Sequence, residues 1–182
     1  MVTMARDNAR TARTALTMEV WEAVNSLWMR ITDLLSRRIP NEDLPDVLKA
    51  VRQLNAQVRG AINGTMLRDA GFNFALAGGF IERGDNTARI LDVKYYLLLP
   101  SVAHIGSSMD NVQWDTILRS VSAHRSFRWT YGAEVSALKV AEFLILNTNM
   151  PRSLAYCGAQ VAQCLAAINC QYGESFAVQE SL

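Results

Sequence analysis

Glu82, Asp85, Asn86, Arg89 and Asp92 fall at i, i+3, i+4, i+7 and i+10 within the stretch "GGFIERGDNTARILDVKYYLLLP", residues 78–100. On an α-helix that spacing gathers them, with Tyr96, onto one stripe. Three carboxylates, an amide and a guanidinium on a shared face could do two things if turned inward. They make a structural ion-pair network, or they make an anion-binding cleft. In the second case a carboxylate whose pKa is raised by burial is a general base, with Glu82 the first candidate. The i,i+4 pairs Asp85–Arg89 and Glu82–Asn86 are equally at home on an exposed helix face. Arg83 lies off the stripe, toward Ile90 and Lys94.

Partners for such a stripe are present elsewhere in the chain. Arg125 and Arg128 continue the apolar spacing of Trp114, Leu118 and Val121, and Arg6, Arg10 and Arg13 continue that of Thr17, Val20 and Trp21. Glu142 is set inside the apolar run "VAEFLIL". An unpaired charge in a core is very costly, so the acidic stripe is expected to face inward and to meet some of these arginines. In a cleft, Arg125 and Arg128 would form a bidentate clamp for a carboxylate or phosphate. Secondary candidates are Asp110 and Asn111, at the start of the following helix, and Arg152, near the N-terminus of the last one, where a helix end favours an anion.

Other chemistries have less support. The two histidines, His104 and His124, stand without ExxH spacing, so neither a di-iron site nor any other metal or cofactor is expected. Ser107 and Ser108 in "GSSMD" read as helix caps. Cys157 and Cys164 share a stripe with Leu154, Val161 and Ile168 and read as core residues, while Cys170 lies off it. The segment "HRSFRWTY", residues 124–131, interleaves bases with aromatics as single-strand binders do. The formal net charge of +1 gives no global pull toward nucleic acid or anionic lipid. There is no P-loop and no GxGxxG.

The elements that must position these residues read as helices throughout. A chain of 182 residues, half of them apolar, suits one domain with a sizeable core, residues 1–182. Pro40, Pro45, Pro100 and Pro151 all fall where helices should begin or end, and no stretch alternates in the manner of a strand. The spacing predicts an all-α bundle of about six antiparallel helices, over about 3–38, from 41–44 to 63, 69–99, 107–131, 134–146 and 150–173, with the first and third long. Residues 174–182 are expected to fray. The first helix carries a seam of Thr17, Val20, Val24, Leu27, Ile31 and Leu34, and the third one of Ile81, Gly84, Ala88, Leu91, Tyr95 and Leu98. Asn149 is the expected cap of the last. Three cysteines without CxxC spacing fit a reducing cytoplasm. The polar N-terminus and the lack of a run of roughly 20 apolar residues predict neither a signal peptide nor a membrane span.

The blocks "ARDNARTARTALTMEVWE", "FIERGDNTARILDVKYYLLLPS", "GSSMDNVQWDTILRSVSAHRSFRW" and "AEFLILNTNMPRSLAYC" together resemble the bacterial α-E family, an all-helical group named for a glutamate–arginine motif. The resemblance runs from about Met4 to Gly173 and places the ER pair at Glu82 and Arg83. It implies a further N-terminal helical segment ahead of this chain, which would then be the C-terminal part of a longer design. It also implies company: circularly permuted ATP-grasp proteins, transglutaminase-like cysteine proteases and proteasome-like peptidases, hence a system that makes or processes peptide-like amides. Two functions follow as expectations. One is a non-catalytic accessory that binds the ATP-grasp protein, with the transglutaminase-like protease as a further partner, and forms a homo-oligomer. The other is an enzyme or substrate-holding subunit that takes an anionic peptide or acyl-phosphate on the Glu/Asp/Arg stripe.

Overall fold

The computed structural model describes residues 1–97 and 108–172, with side chains over 1–94 and 110–172. The side chains of Tyr95, Tyr96, Leu98, His104, Ser107 and Ser108, and the terminal stretch 174–182, lie outside the described residues. Among the described residues the fold is all-helical, with eight α-helices where the periodicity predicts about six. Two of the expected helices, the first and the fourth, are each divided in two. No described helix is long and apolar enough to cross a membrane. By packing the chain forms two units, Met1–Phe72 and Asn73–Leu182.

In the first unit the helix expected over residues 3–38 is two: α1, Val2–Thr11, and α2, Met18–Leu34, joined through a 3-10 turn at Arg13–Ala15. The break is made by Thr17. Its backbone is extended, and its side-chain oxygen accepts the Val20 N–H as the cap of α2. The same oxygen lies 2.6 Å from the Thr65 hydroxyl at the end of α3, Leu44–Thr65. A threonine followed by an acid in the first turn, here Glu19, is a helix start, and periodicity alone overruns it. The expected α2 seam is present, with Val20, Leu27 and Ile31 buried. No residue of α3 is buried; its apolar positions Val47, Val51, Leu54, Val58 and Ile62 are only half-covered.

The second unit has a larger core. It is built on α4, Ala70–Leu97, which begins at the end of the first unit; α5, Ser108–Ser120; α6, His124–Tyr131; α7, Ala137–Ile145; and α8, Leu154–Tyr172. Leu91, Trp114, Leu118, Val121, Phe127, Val140, Phe143 and Leu144 form the centre. The Phe127 ring stacks on Tyr131 at 5.1 Å and meets Phe143 edge-on at 5.6 Å, geometries that suit the ring quadrupole. The helix expected over 107–131 is divided at residues 121–123. Ser122 takes a φ of 56°, and the Ala123 N–H donates to the Leu118 carbonyl at 2.7 Å. This six-to-one bond closes α5 as a Schellman turn does, with serine where glycine is usual, so the sequence carries no obvious stop. Val121 and Ala123, both buried, hold the corner against the core.

Asn149 does not cap α8. Ser153 does: its oxygen accepts the Tyr156 N–H at 3.0 Å, while its own hydroxyl donates to the Asn147 carbonyl. The Asn147 side chain in turn accepts the N–H groups of Asn149 and Met150, each at 2.9 Å. The turn between α7 and α8 is therefore tied by asparagine and serine side chains rather than by apolar packing alone.

Candidate functional site

The apolar seam of α4 is not the expected one. Ile81 is 59 % exposed and Ala88 also faces solvent. The covered face runs Ala77, Phe80, Gly84, Thr87, Leu91 and Lys94, again at 3,4,3,4,3 spacing but rotated round the helix. Thr87 and Lys94 are fully buried on it. An ideal Cβ at Gly84 would lie 3.5 Å from Cβ of Cys157 on α8, so α4 and α8 approach closely there.

Two polar arrangements hold this face. At its middle, the Thr87 hydroxyl donates to the Arg83 carbonyl at 3.1 Å or to the Arg152 carbonyl at 2.9 Å, and an Arg83 guanidinium N–H donates to the Pro151 carbonyl at 3.2 Å. The turn that leads into α8 is thus gripped through its backbone oxygens. The same Arg83 guanidinium lies 5.2 Å over the Phe80 ring, and Phe80 meets Tyr156 edge-on at 6.1 Å. At the C-terminal end, Lys94 Nζ donates to Asp110 Oδ1 and to Gln113 Oε1, both at 2.6 Å, and sits 5.2 Å over the Trp114 ring. The Lys94 and Asp110 side chains are 0 % and 2 % exposed. A buried charge persists only with such complete pairing.

The acidic stripe turns the other way, which overturns the expectation that it faces inward. Glu82, Asp85, Asn86, Arg89 and Asp92 are all exposed. Asp85 and Arg89 pair with each other at 2.7 Å while 52 % and 74 % exposed. That contact and the Asp92 charge hold the Arg89 guanidinium pKa above its ordinary value. No ion pair joins the stripe to Arg125 or Arg128 among the described residues. The physical reason is that the stripe satisfies itself within one helix and in water, so it places no demand on the core.

The other candidate residues separate likewise. Arg125 and Arg128 are exposed on α6 and do not enter the core. Arg6 is half-buried, bonded to Asn25 Oδ1 at 2.8 Å and stacked 4.1 Å over Trp28. Arg13 lies exposed 5.3 Å over Trp21, and Arg10 is exposed. Arg6 and Arg13 thus meet aromatic faces instead of carboxylates. Glu142 is exposed too, because Val140, Phe143 and Leu144 take the inner side of α7. Burial pushes the Tyr131 phenol pKa up, and the Glu142 carboxylate adds to the shift. Asp110 is the buried partner of Lys94, Asn111 is half-buried, and Arg152 is half-buried in the turn before α8. Cys157 and Cys164 are buried and Cys170 is exposed, as the spacing predicts. Burial raises the Cys157 thiol pKa, partly offset by the charges of Arg83 and Arg152.

Sequence reasoning missed Lys94, Thr87 and Gln113. The signal for them was the second 3,4 spacing on α4, which runs through one threonine and one lysine and so scores poorly as a core face. It named Arg125, Arg128 and the segment 124–131, but not the hollow of about 660 Å³ that Arg119, His124, Arg125, Arg128 and Trp129 line together. There Asp115 takes Arg119 Nε on one oxygen at 2.6 Å and His124 Nε2 on the other at 2.9 Å. Chiefly through Arg119, these contacts depress the Asp115 carboxyl pKa.

The sole Glu–Arg dipeptide of the chain, Glu82–Arg83, is therefore split between the two sides of α4. The family model Alpha-E, described as a predicted alpha-helical domain with a conserved ER motif, matches residues 1–181. The chain belongs to the Alpha-E family. No curated protein and no solved structure matches this Alpha-E chain. The half-buried arginine of the pair is bound to the Pro151 carbonyl, and the glutamate is exposed on the other side of the helix.

Proposed function

We propose that this Alpha-E chain is a non-catalytic helical accessory protein of a bacterial, cytoplasmic system in which an ATP-grasp enzyme makes or modifies peptide-like amides. The observation that carries the reading is the presentation of Glu82, Asp85 and Asp92 on the solvent face of α4, whose opposite face is anchored by Arg83, Thr87 and Lys94. Three carboxylates and one guanidinium on a preorganised helix suit a basic docking surface, because complementary charge speeds encounter and fixes register. The resemblance to α-E proteins supplies the partner: a circularly permuted ATP-grasp protein, with a transglutaminase-like protease as a further associate. The half-covered apolar seam of α3 supports self-association into a homo-oligomer.

The test is co-purification with the ATP-grasp protein, with and without ATP, of the native chain and of the triple variant Glu82→Gln, Asp85→Asn, Asp92→Asn. The native chain is expected to be retained and the variant to be lost, with weaker retention at high salt. No association in either nucleotide state removes the reading.

A further inference from the structure

The hollow at the α5–α6 corner is a second surface, separate from the acidic face of α4 and opposite in charge. Its lining holds three guanidinium groups, Arg119, Arg125 and Arg128, one imidazole, His124, and the Trp129 ring. Asp115 is half-buried and has both carboxylate oxygens committed, to Arg119 and His124. It therefore orients those two groups without neutralising the other two arginines. Arg125 and Arg128 are exposed, one helical turn apart, and have no acidic partner among the described residues. Trp129 is 82 % exposed beside them. The inner side of the same short helix is fixed by Phe127, fully buried, and by Tyr131 and Phe143.

Two unpaired guanidiniums match the forked geometry of a phosphate. An indole face left in water beside them matches a flat ring, since base–aromatic stacking tolerates any base. We propose that this hollow binds a phosphate ester attached to a nucleobase, with Arg125 and Arg128 on the phosphate and Trp129 stacked on the base. Arg119 and His124, positioned by Asp115, extend the positive field. A free nucleotide and the 5′ end of a single strand present the same chemistry, and the experiment separates them.

Titration calorimetry at low salt would use adenosine monophosphate, inorganic phosphate, adenosine, a 5′-phosphorylated oligothymidylate and vesicles of anionic lipid. The nucleotide is expected to bind at least about tenfold more tightly than inorganic phosphate or adenosine. The variant Arg125→Gln, Arg128→Gln is expected to weaken it about tenfold or more. Trp129→Leu is expected to abolish the advantage of the nucleotide over phosphate. All three side chains are exposed, so an unchanged thermal midpoint would show that the variants are folded. A 5′-phosphorylated strand that binds no better than the nucleotide assigns a free ligand; one that binds much better assigns a strand end. Equal affinity for nucleotide and phosphate, binding indifferent to the arginine variant, or binding to anionic vesicles alone would each overturn the proposal. None of these outcomes depends on whether the acidic face of α4 docks an ATP-grasp protein.

Discussion

On one side of α4, Arg83, Thr87 and Lys94 give their polar atoms to backbone carbonyls, an amide and a buried carboxylate. On the other, Glu82, Asp85, Arg89 and Asp92 meet water and one another. Both sides are polar and both repeat every three to four residues. They differ in what happens if a partner is removed. On the covered side the loss of Lys94 or Thr87 leaves a buried polar group short of a partner, which is penalised far more than an average hydrogen bond contributes. On the open side water replaces the lost partner. Polar spacing on a helix therefore does not say which face is inside; the availability of fixed partners on adjacent elements does.

The largest effect expected from breaking this contrast is at Lys94. Lys94→Ala or Asp110→Ala removes the opposite charge from a buried ion pair and should cost about 3–5 kcal/mol in urea denaturation. Replacing both by apolar residues of similar size, Lys94→Met with Asp110→Leu, should recover most of that loss. Next is Thr87→Val, which keeps the shape but removes the donor to the Arg83 and Arg152 carbonyls. About 1–3 kcal/mol is expected.

A smaller and pH-dependent effect is expected at Asp115. Its folded pKa is depressed, chiefly by Arg119. Its contribution is thus fully present above the ordinary carboxylate pKa and is lost as pH falls through the folded value. Asp115→Asn should flatten the acid limb of the stability profile and leave the neutral limb parallel to the native one. Smallest is Asp85→Asn, which breaks only an exposed pair; the thermal midpoint should move by less than ~2 °C.

Much of this could be read from residue order. The α2 seam of Val20, Leu27 and Ile31, the start of α3 at Leu44–Pro45 and the burial of Cys157 and Cys164 all follow from apolar spacing and proline placement. Two helix breaks were not read. Thr17 caps α2 inside a run that stays periodic, and Ser122 adopts a left-handed backbone without being glycine. The site was read in part. The Asp85–Arg89 pair and the position of Arg83 off the stripe were legible, but the direction of the stripe was not. Spacing locates a face only by its apolar content, and the covered face of α4 carries a lysine whose partners Asp110 and Gln113 lie 16 and 19 residues further on. Such a partner is visible only once α5 is folded back beside α4.

The central claim is that the Glu–Arg pair divides its work, with Arg83 holding the fold and Glu82 left free at the surface. The most direct measurement is the urea-denaturation stability of Arg83→Gln and Glu82→Gln beside the native chain. Arg83→Gln should lose about 0.5–1.5 kcal/mol by forfeiting the bond to the Pro151 carbonyl, while Glu82→Gln keeps its denaturation midpoint. A Glu82→Gln chain destabilised as much as Arg83→Gln would contradict the account.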